Sequence, residues 1–127
     1  IGALWTKLAI NCVINALSAI TQLPYGILAA EAGVEQVMRD VLRECQAVAR
    51  AEGIDLPADL WDSVQGILRT MPMQYSSTAQ DLKLGKASEI DYLNGVILRR
   101  GQKHGIPTPV NRVLHTLVRL KEAAARQ

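Results

Sequence analysis

EAGVEQVMRDVLRECQAVAR, residues 31–50, sets Val34, Val37, Met38, Val41, Leu42, Cys45, Val48 and Ala49 at recurring offsets of three and four. A period near 3.6 gathers these side chains on one face of a helix, whereas a strand would alternate at every second residue. The same signature continues in both directions. Upstream, Ala3 to Ile20 contains no Pro or Gly, and Leu4, Leu8, Ile10, Val13, Ile14, Leu17 and Ile20 point to several sides of a helix, which predicts an element buried nearly all round. Pro24-Tyr25-Gly26 then favours a turn. Downstream, Gly53 stops the amphipathic helix, and Pro57 suits the opening turn of a third helix carrying Leu60, Trp61, Val64, Ile67 and Leu68. Thr70-Met71-Pro72-Met73 ends it.

The second half repeats the pattern with shorter pieces. Ser77-Thr78-Ala79-Gln80 has the form of a capping box, with Ser77 as the N-cap of a short helix to about Leu84. After Gly85, Ser88 is placed to cap a longer helix from Glu89 to His104 with Ile90, Leu93, Ile97 and Leu98 as its stripe. Gly105 and Pro107 stop that helix. Pro109 begins the last one, with Val110, Val113, Leu114, Leu117 and Val118 on one face. No segment alternates with period two, so the expected fold is all-α, a compact bundle of about six helices.

At 127 residues and 49% apolar content the chain suits one hydrophobic core, and residues 1–127 are expected to form a single domain. The 14 basic and 12 acidic residues are interspersed, so a net charge of +2 gives no reason to expect nucleic acid or a membrane surface as partner. No uninterrupted apolar run long enough to cross a bilayer is expected, and the signal-peptide pattern is absent, which makes a cytoplasmic setting the default reading. Cys12 and Cys45 sit among apolar residues without a Cys-x-x-Cys spacing, and buried free thiols are expected of both. The opening Ile1-Gly2-Ala3-Leu4-Trp5, with no initiator Met and a helix already under way, has the character of a cut inside a larger protein.

Lys7, Asn11 and Asn15 do not belong in a core. They recur every four residues and so share one face of the first helix. An unpaired ammonium or amide in apolar surroundings costs several kcal/mol, and a wet pocket would relieve that cost. In such a pocket Lys7 can serve as a proton donor or oxyanion stabiliser, since partial burial favours its neutral form, while the two carboxamides position a polar substrate. The alternative is a solvent-facing stripe on an ordinary amphipathic helix. Ser77 and Glu89, each beside an expected helix start, form a second pair, because helix N-termini suit anionic groups. Plain capping chemistry, with Ser77 as N-cap and Glu89 in a first turn, is the favoured reading of these two from the residues alone.

Asp81, Asp91, Asn94, Arg99 and Arg100 are read as solvated faces and helix-surface pairs. His104 and His115 have no second histidine or carboxylate at ligand spacing, so no metal site is expected. No Gly-x-Gly-x-x-Gly or Gly-Lys-Ser/Thr pattern is present to cradle a phosphate.

Taken together, Trp5-Thr6-Lys7-Leu8-Ala9-Ile10-Asn11-Cys12-Val13-Ile14-Asn15 resembles the helix that opens the C-terminal domain of ketopantoate reductases. Ser76-Ser77-Thr78-Ala79-Gln80-Asp81, then Ser88-Glu89-Ile90-Asp91-Tyr92-Leu93-Asn94-Gly95, then His104-Gly105-Ile106-Pro107-Thr108-Pro109-Val110-Asn111 are similar to that family's other signature. The resemblance runs from the first helix to the last. It implies the C-terminal domain of a two-domain dehydrogenase whose Rossmann domain is absent from this chain.

In that family NADPH, held mainly by the N-terminal Rossmann domain, reduces 2-dehydropantoate to pantoate for coenzyme A biosynthesis. The resemblance implies that Lys7 is the general acid, that Glu89 orients Lys7 and touches cofactor or substrate, and that Asn11, Asn15 and Ser77 hold the substrate's polar groups. It further implies a small 2-keto acid and the Rossmann half as partners, and an isolated fragment without activity. Two positions depart from the family pattern. Ala16 replaces a common proline, which predicts a straighter helix. Tyr25 replaces the Asn of a Pro-Asn-Gly turn and can change which 2-keto acid fits. A competing expectation is a helical interaction or dimerisation module without catalysis, since apolar helices stripped of a partner domain can also drive self-association into a homo-oligomer.

Overall fold

The apolar run at the head of the chain becomes α1, Gly2–Thr21, in a computed structural model that describes residues 1–126. Its later half is fully internal, with every residue from Cys12 to Ala19 buried. Its first turn is exposed, as is Lys7, so the expectation of burial all round holds for only part of the helix. Ala16 is buried in an unbroken helix. Contrary to expectation, α1 is long and apolar enough to cross a bilayer, with a mean hydropathy of 1.4 over its most apolar window. Isolated polar residues such as Lys7 and Asn11 break the run without lowering its mean much. Half of that window is buried against the other helices.

α1 ends on Gln22, which adopts the left-handed conformation (φ 55°) without being glycine. The Gln22 side chain offsets that strain by donating to the Ala19 carbonyl at 2.9 Å and to the Ala79 carbonyl at 3.1 Å. A short α2, Tyr25–Ala30, then starts inside the segment read as a turn. The Gly26 N–H donates to the Pro72 carbonyl at 2.8 Å, and a Cβ at Gly26 would stand 3.0 Å from the Pro72 Cβ. Close approach to that loop explains the glycine and the extra helix. Tyr25 is buried, and burial pushes its phenol pKa up.

α3, Ala32–Ala51, reproduces the amphipathic stretch read from the sequence. α4, Leu60–Thr70, begins three residues after Pro57, which instead closes a turn by accepting the Leu60 N–H. α5, Ser77–Lys83, corrects the expected cap: Ser76 is the N-cap, its hydroxyl accepting the Ala79 N–H at 3.0 Å, and Ser77 is the first helical residue. The Gln80 side chain reaches the Tyr75 carbonyl, so no capping box closes.

The helix expected from Glu89 to His104 is also corrected. Ile90–Tyr92 forms one 3-10 turn, Leu93 breaks the helical path at φ −112° and ψ −103°, and α6 runs only over Asn94–His104. α7, Pro109–Ala125, starts on its proline. With seven α-helices and no strand among the described residues, the fold is all-α.

The helices share one apolar core around α1, which packs against α3, α5 and α7. Val13, Met38, Val41, Val48, Val64, Ile97 and Val118 are sealed from solvent, each contributing roughly 1.5–3 kcal/mol by burial. Gly101 lets α6 meet the following loop, since a Cβ there would lie 2.9 Å from the Ile106 carbonyl. Cys12 and Cys45 are buried free thiols, as expected. Burial raises the Cys12 pKa well above the usual thiol value, and the neighbouring Cys45 raises it further.

Asn94 was read as part of a solvated face, and the structure overturns this. Asn94 and Asn111 are both fully buried, with Asn94 Nδ2 donating to the Cys12 carbonyl at 3.3 Å and to Asn111 Oδ1 at 2.8 Å. Asn111 Nδ2 in turn donates to Glu44 Oε1 at 2.9 Å. Glu44 also accepts the Val110 and Asn111 N–H groups, each at 3.0 Å, so a side chain of α3 caps α7.

Candidate functional site

Lys7, Asn11 and Asn15 rise along α1 as a graded ladder: Lys7 exposed, Asn11 half-buried, Asn15 buried. Four-residue steps advance about 6 Å each, so the ladder lies along one face and runs from the bundle surface inward. Asn15 Nδ2 donates to the Thr78 hydroxyl at 3.4 Å, and its backbone carbonyl accepts from the Ser76 hydroxyl at 3.3 Å. The Ser18 hydroxyl, one turn on, accepts the Ser76 N–H at 3.0 Å. Ser77 lies between two residues fastened to Asn15, so the N-terminus of α5 is seated beside the inner end of the ladder.

Glu89 belongs to a different segment from the ladder. It stands at the head of the 3-10 turn, and five residues later Asn94 is anchored on the carbonyl of Cys12, next to Asn11. Tyr92 of that turn lines a cleft of about 420 Å³ with Leu4, Trp5 and Leu8 of α1 and Val96 and Arg100 of α6. The helix carrying Ser77 is thus secured to α1, and α6, which follows the turn headed by Glu89, is tied to the preceding turn of α1.

Lys7, Asn11, Ser77 and Glu89 offer their side chains to no hydrogen bond or ion pair among the described residues, and Lys7 and Glu89 do not pair with each other. Lys7 is exposed, so these helices do not supply the partial burial expected for it. On the outer half of α1 the buried residues are Trp5 and Ala9, away from the Lys7 face.

His104 and His115, read as isolated, each find a carboxylate through tertiary contact. His104 bonds to Glu52, and His115 Nε2 lies 2.7 Å from Asp91 Oδ1. The His104 bond holds the Glu52 carboxyl below its ordinary range, and the His115 bond does the same for Asp91. Among the described residues no cluster of His, Cys, Asp and Glu could hold a metal ion. Sequence reasoning passed over Ser76, Thr78 and Asn94, the residues that fix the ladder's surroundings. For Asn94 a signal existed: it shares the helical spacing of Ile97 and Gly101.

The family described as ketopantoate reductase PanE/ApbA C terminal matches residues 1–122. A 2-dehydropantoate 2-reductase of Caulobacter vibrioides is 48% identical over 90% of this chain and 39% of its own length. That of Pyrobaculum aerophilum is 34% identical over 94% of the chain and 43% of its own length. Among solved structures, a PanE/ApbA family ketopantoate reductase from Ralstonia eutropha JMP134 superposes with a TM-score of 0.95, at 63% identity over 99% of this chain and 42% of its own. A D-mandelate dehydrogenase bound to NADH and anilino(oxo)acetate superposes with a TM-score of 0.94 at 28% identity, over 99% of this chain and 42% of its own.

The fold is that of an all-helical C-terminal dehydrogenase domain. The chain belongs to the ketopantoate reductase family, and it spans about two-fifths of the length of the curated relatives it matches.

Proposed function

We propose that residues 1–127 form one substrate-binding and catalytic domain of an NADPH-dependent reductase that converts 2-dehydropantoate, or a close 2-keto acid, to the 2-hydroxy acid. The supporting observation is the fastening of α5, which bears Ser77, onto the α1 turn of Asn15, and of α6, which follows the turn headed by Glu89, onto the α1 turn of Cys12 beside Asn11. Four polar side chains, Lys7, Asn11, Ser77 and Glu89, left without internal partners suit a polar ligand better than a packing role.

When bound, NADPH supplies the hydride that reduces the keto carbon. Lys7 donates a proton to the carbonyl oxygen as negative charge develops there, so hydride and proton together give the alcohol. Asn11, Asn15 and Ser77 hold the carboxylate and hydroxyl groups and fix the carbonyl in line for transfer. Glu89 orients Lys7 and accepts a hydroxyl of substrate or cofactor. The residues present fit the edge of a nicotinamide site, since Glu89 has a free carboxylate while no glycine-rich phosphate loop is present. An N-terminal Rossmann domain, as partner, would carry the main cofactor contacts and cover the exposed outer half of α1. A cytoplasmic location accords with such biosynthetic chemistry.

Tyr25 bears on the choice of keto acid, because its ring is packed into the core where the family pattern places a carboxamide. A non-catalytic dimerisation module is the second reading. It is favoured by Val113, Leu117 and Leu120, exposed at helical spacing on α7, and it accords with a homo-oligomer of either kind.

Full-length protein assayed with 2-dehydropantoate and either NADPH or NADH separates the readings. The expected outcome is turnover that Lys7→Ala lowers by roughly a hundredfold or more, with the isolated fragment inactive. Turnover undiminished in Lys7→Ala removes Lys7 from the mechanism, and no turnover in the parent protein favours the interaction module.

A further inference from the structure

The Glu89 side chain makes no hydrogen bond, although its carbonyl accepts the Tyr92 N–H at 2.8 Å, and the residues on both sides of it are fastened. The Ser88 N–H donates to Glu122 Oε2 at 2.6 Å, and the Ser88 hydroxyl accepts the Ile90 N–H at 3.2 Å. Asp91 Oδ1 meets His115 Nε2 at 2.7 Å and Arg119 at 3.3 Å, while the Asp91 carbonyl accepts from Arg99 at 2.9 Å. Gly95 makes room for this arrangement, since a Cβ there would stand 3.2 Å from the Arg99 guanidinium and 3.4 Å from His115 Nε2.

Glu122 is the anomaly. It is only 7% exposed, although a carboxylate is costly to bury and the last turns of α7 could close the same space with an apolar side chain. Its nearest cation, the Arg119 Nε, is 3.8 Å away, so its short contact is the one to the Ser88 N–H. A charge-assisted bond to a backbone N–H fixes position more tightly than a neutral one. The position fixed is that of the residue immediately before Glu89.

We propose that Glu122 and Asp91, acting with His115 and Arg119, are positioning residues that set the carboxylate of Glu89 against the Lys7 ladder. The proposal rests on the reading of Glu89 as a site residue. α7 thereby takes part in the reaction without touching substrate. The 3-10 turn, too short to hold its own direction, is held by the last helix instead.

The test is steady-state turnover of the full-length protein with NADPH and 2-dehydropantoate. Glu122→Ala should lower kcat by roughly ten- to a hundredfold, the effect of displacing a reacting group by a fraction of an ångström to an ångström. Glu122→Gln, whose amide oxygen can still accept the Ser88 N–H, should recover most of it. In a Glu89→Gln background the Glu122→Ala loss should vanish, because a residue acting through Glu89 has nothing left to position. Wild-type kcat in Glu122→Ala, or an equal loss in both backgrounds, overturns the positioning role. If Glu122→Ala does not fold, Asp91→Asn, at a half-exposed position, is read by the same criteria. Glu89→Gln with wild-type kcat overturns the site reading as well, whereas an impaired Glu89→Gln beside an unimpaired Glu122→Ala overturns the positioning alone.

Discussion

Asn94 Nδ2 and Asn111 Oδ1 lie 2.8 Å apart with both side chains sealed from solvent, and the bond joins the first turn of α6 to the first turn of α7. A buried amide that loses its partner keeps its full desolvation cost. Asn111→Ala removes the acceptor for Asn94 and a donor to Glu44, and leaves a small cavity. It should destabilise the protein by about 2–4 kcal/mol, measured by chemical denaturation at constant m-value. A loss below about 0.5 kcal/mol would show that the network is not a structural element.

The corrected cap of α5 separates two adjacent serines. Ser76→Ala loses the bond to the Ala79 N–H and the one to the Asn15 carbonyl, and should cost about 1–2 kcal/mol. Ser77→Ala touches neither and should change stability by under about 0.5 kcal/mol. In the full-length protein Ser77→Ala should raise KM for the keto acid, through loss of a hydroxyl that holds substrate. Thermal melts and saturation kinetics on the two variants check both halves of this contrast, and equal melting shifts would contradict it.

Asp91 gives the protein a pH dependence whose sign follows from its lowered pKa. The folded carboxyl holds its charge to lower pH than the unfolded one, chiefly through the His115 bond. The resulting stability is fully present above the ordinary carboxylate value of about 4, and is lost as pH falls through the depressed folded value. Half-exposure of Asp91 keeps the gain modest. Asp91→Asn should therefore melt lower than the parent at pH 6, with the gap closing toward pH 3. A gap that widens on acidification would refute the assignment.

Most of the architecture could be read in the chain because apolar spacing dictates which helix face is buried. The residues 31–50 pattern and the stripe of α4 appear where the period puts them, whereas in α7 Leu114 and Val118 of the expected stripe are buried and Val113 and Leu117 are exposed. Boundaries set by tertiary contacts were less legible. α2 exists because Gly26 meets Pro72, and the Leu93 break carries no proline or glycine at the residue itself. Spacing also held information that residue type concealed. Asn111, Leu114, Val118 and Glu122 form one buried stripe of α7, but an amide and a carboxylate were not counted among apolar positions. The Lys7, Asn11 and Asn15 ladder was visible as a four-residue repeat. Its relation to Ser77 and Glu89 needed the contacts of Thr78 and Asn94, which lie 63 and 82 residues from their α1 partners.

Those separations govern how the protein is made. Within this bundle α1 leaves the ribosome first, and its fixed points on α5 and α6 follow 63 and 82 residues later. At about 5–20 residues per second, that is an interval of roughly 3–16 s. For that time a helix apolar enough to enter a bilayer by length and composition has α3 to pack against but lacks α5 and α7. The central helix of the finished bundle thus stays partly uncovered in the nascent one until the second half of the chain has emerged.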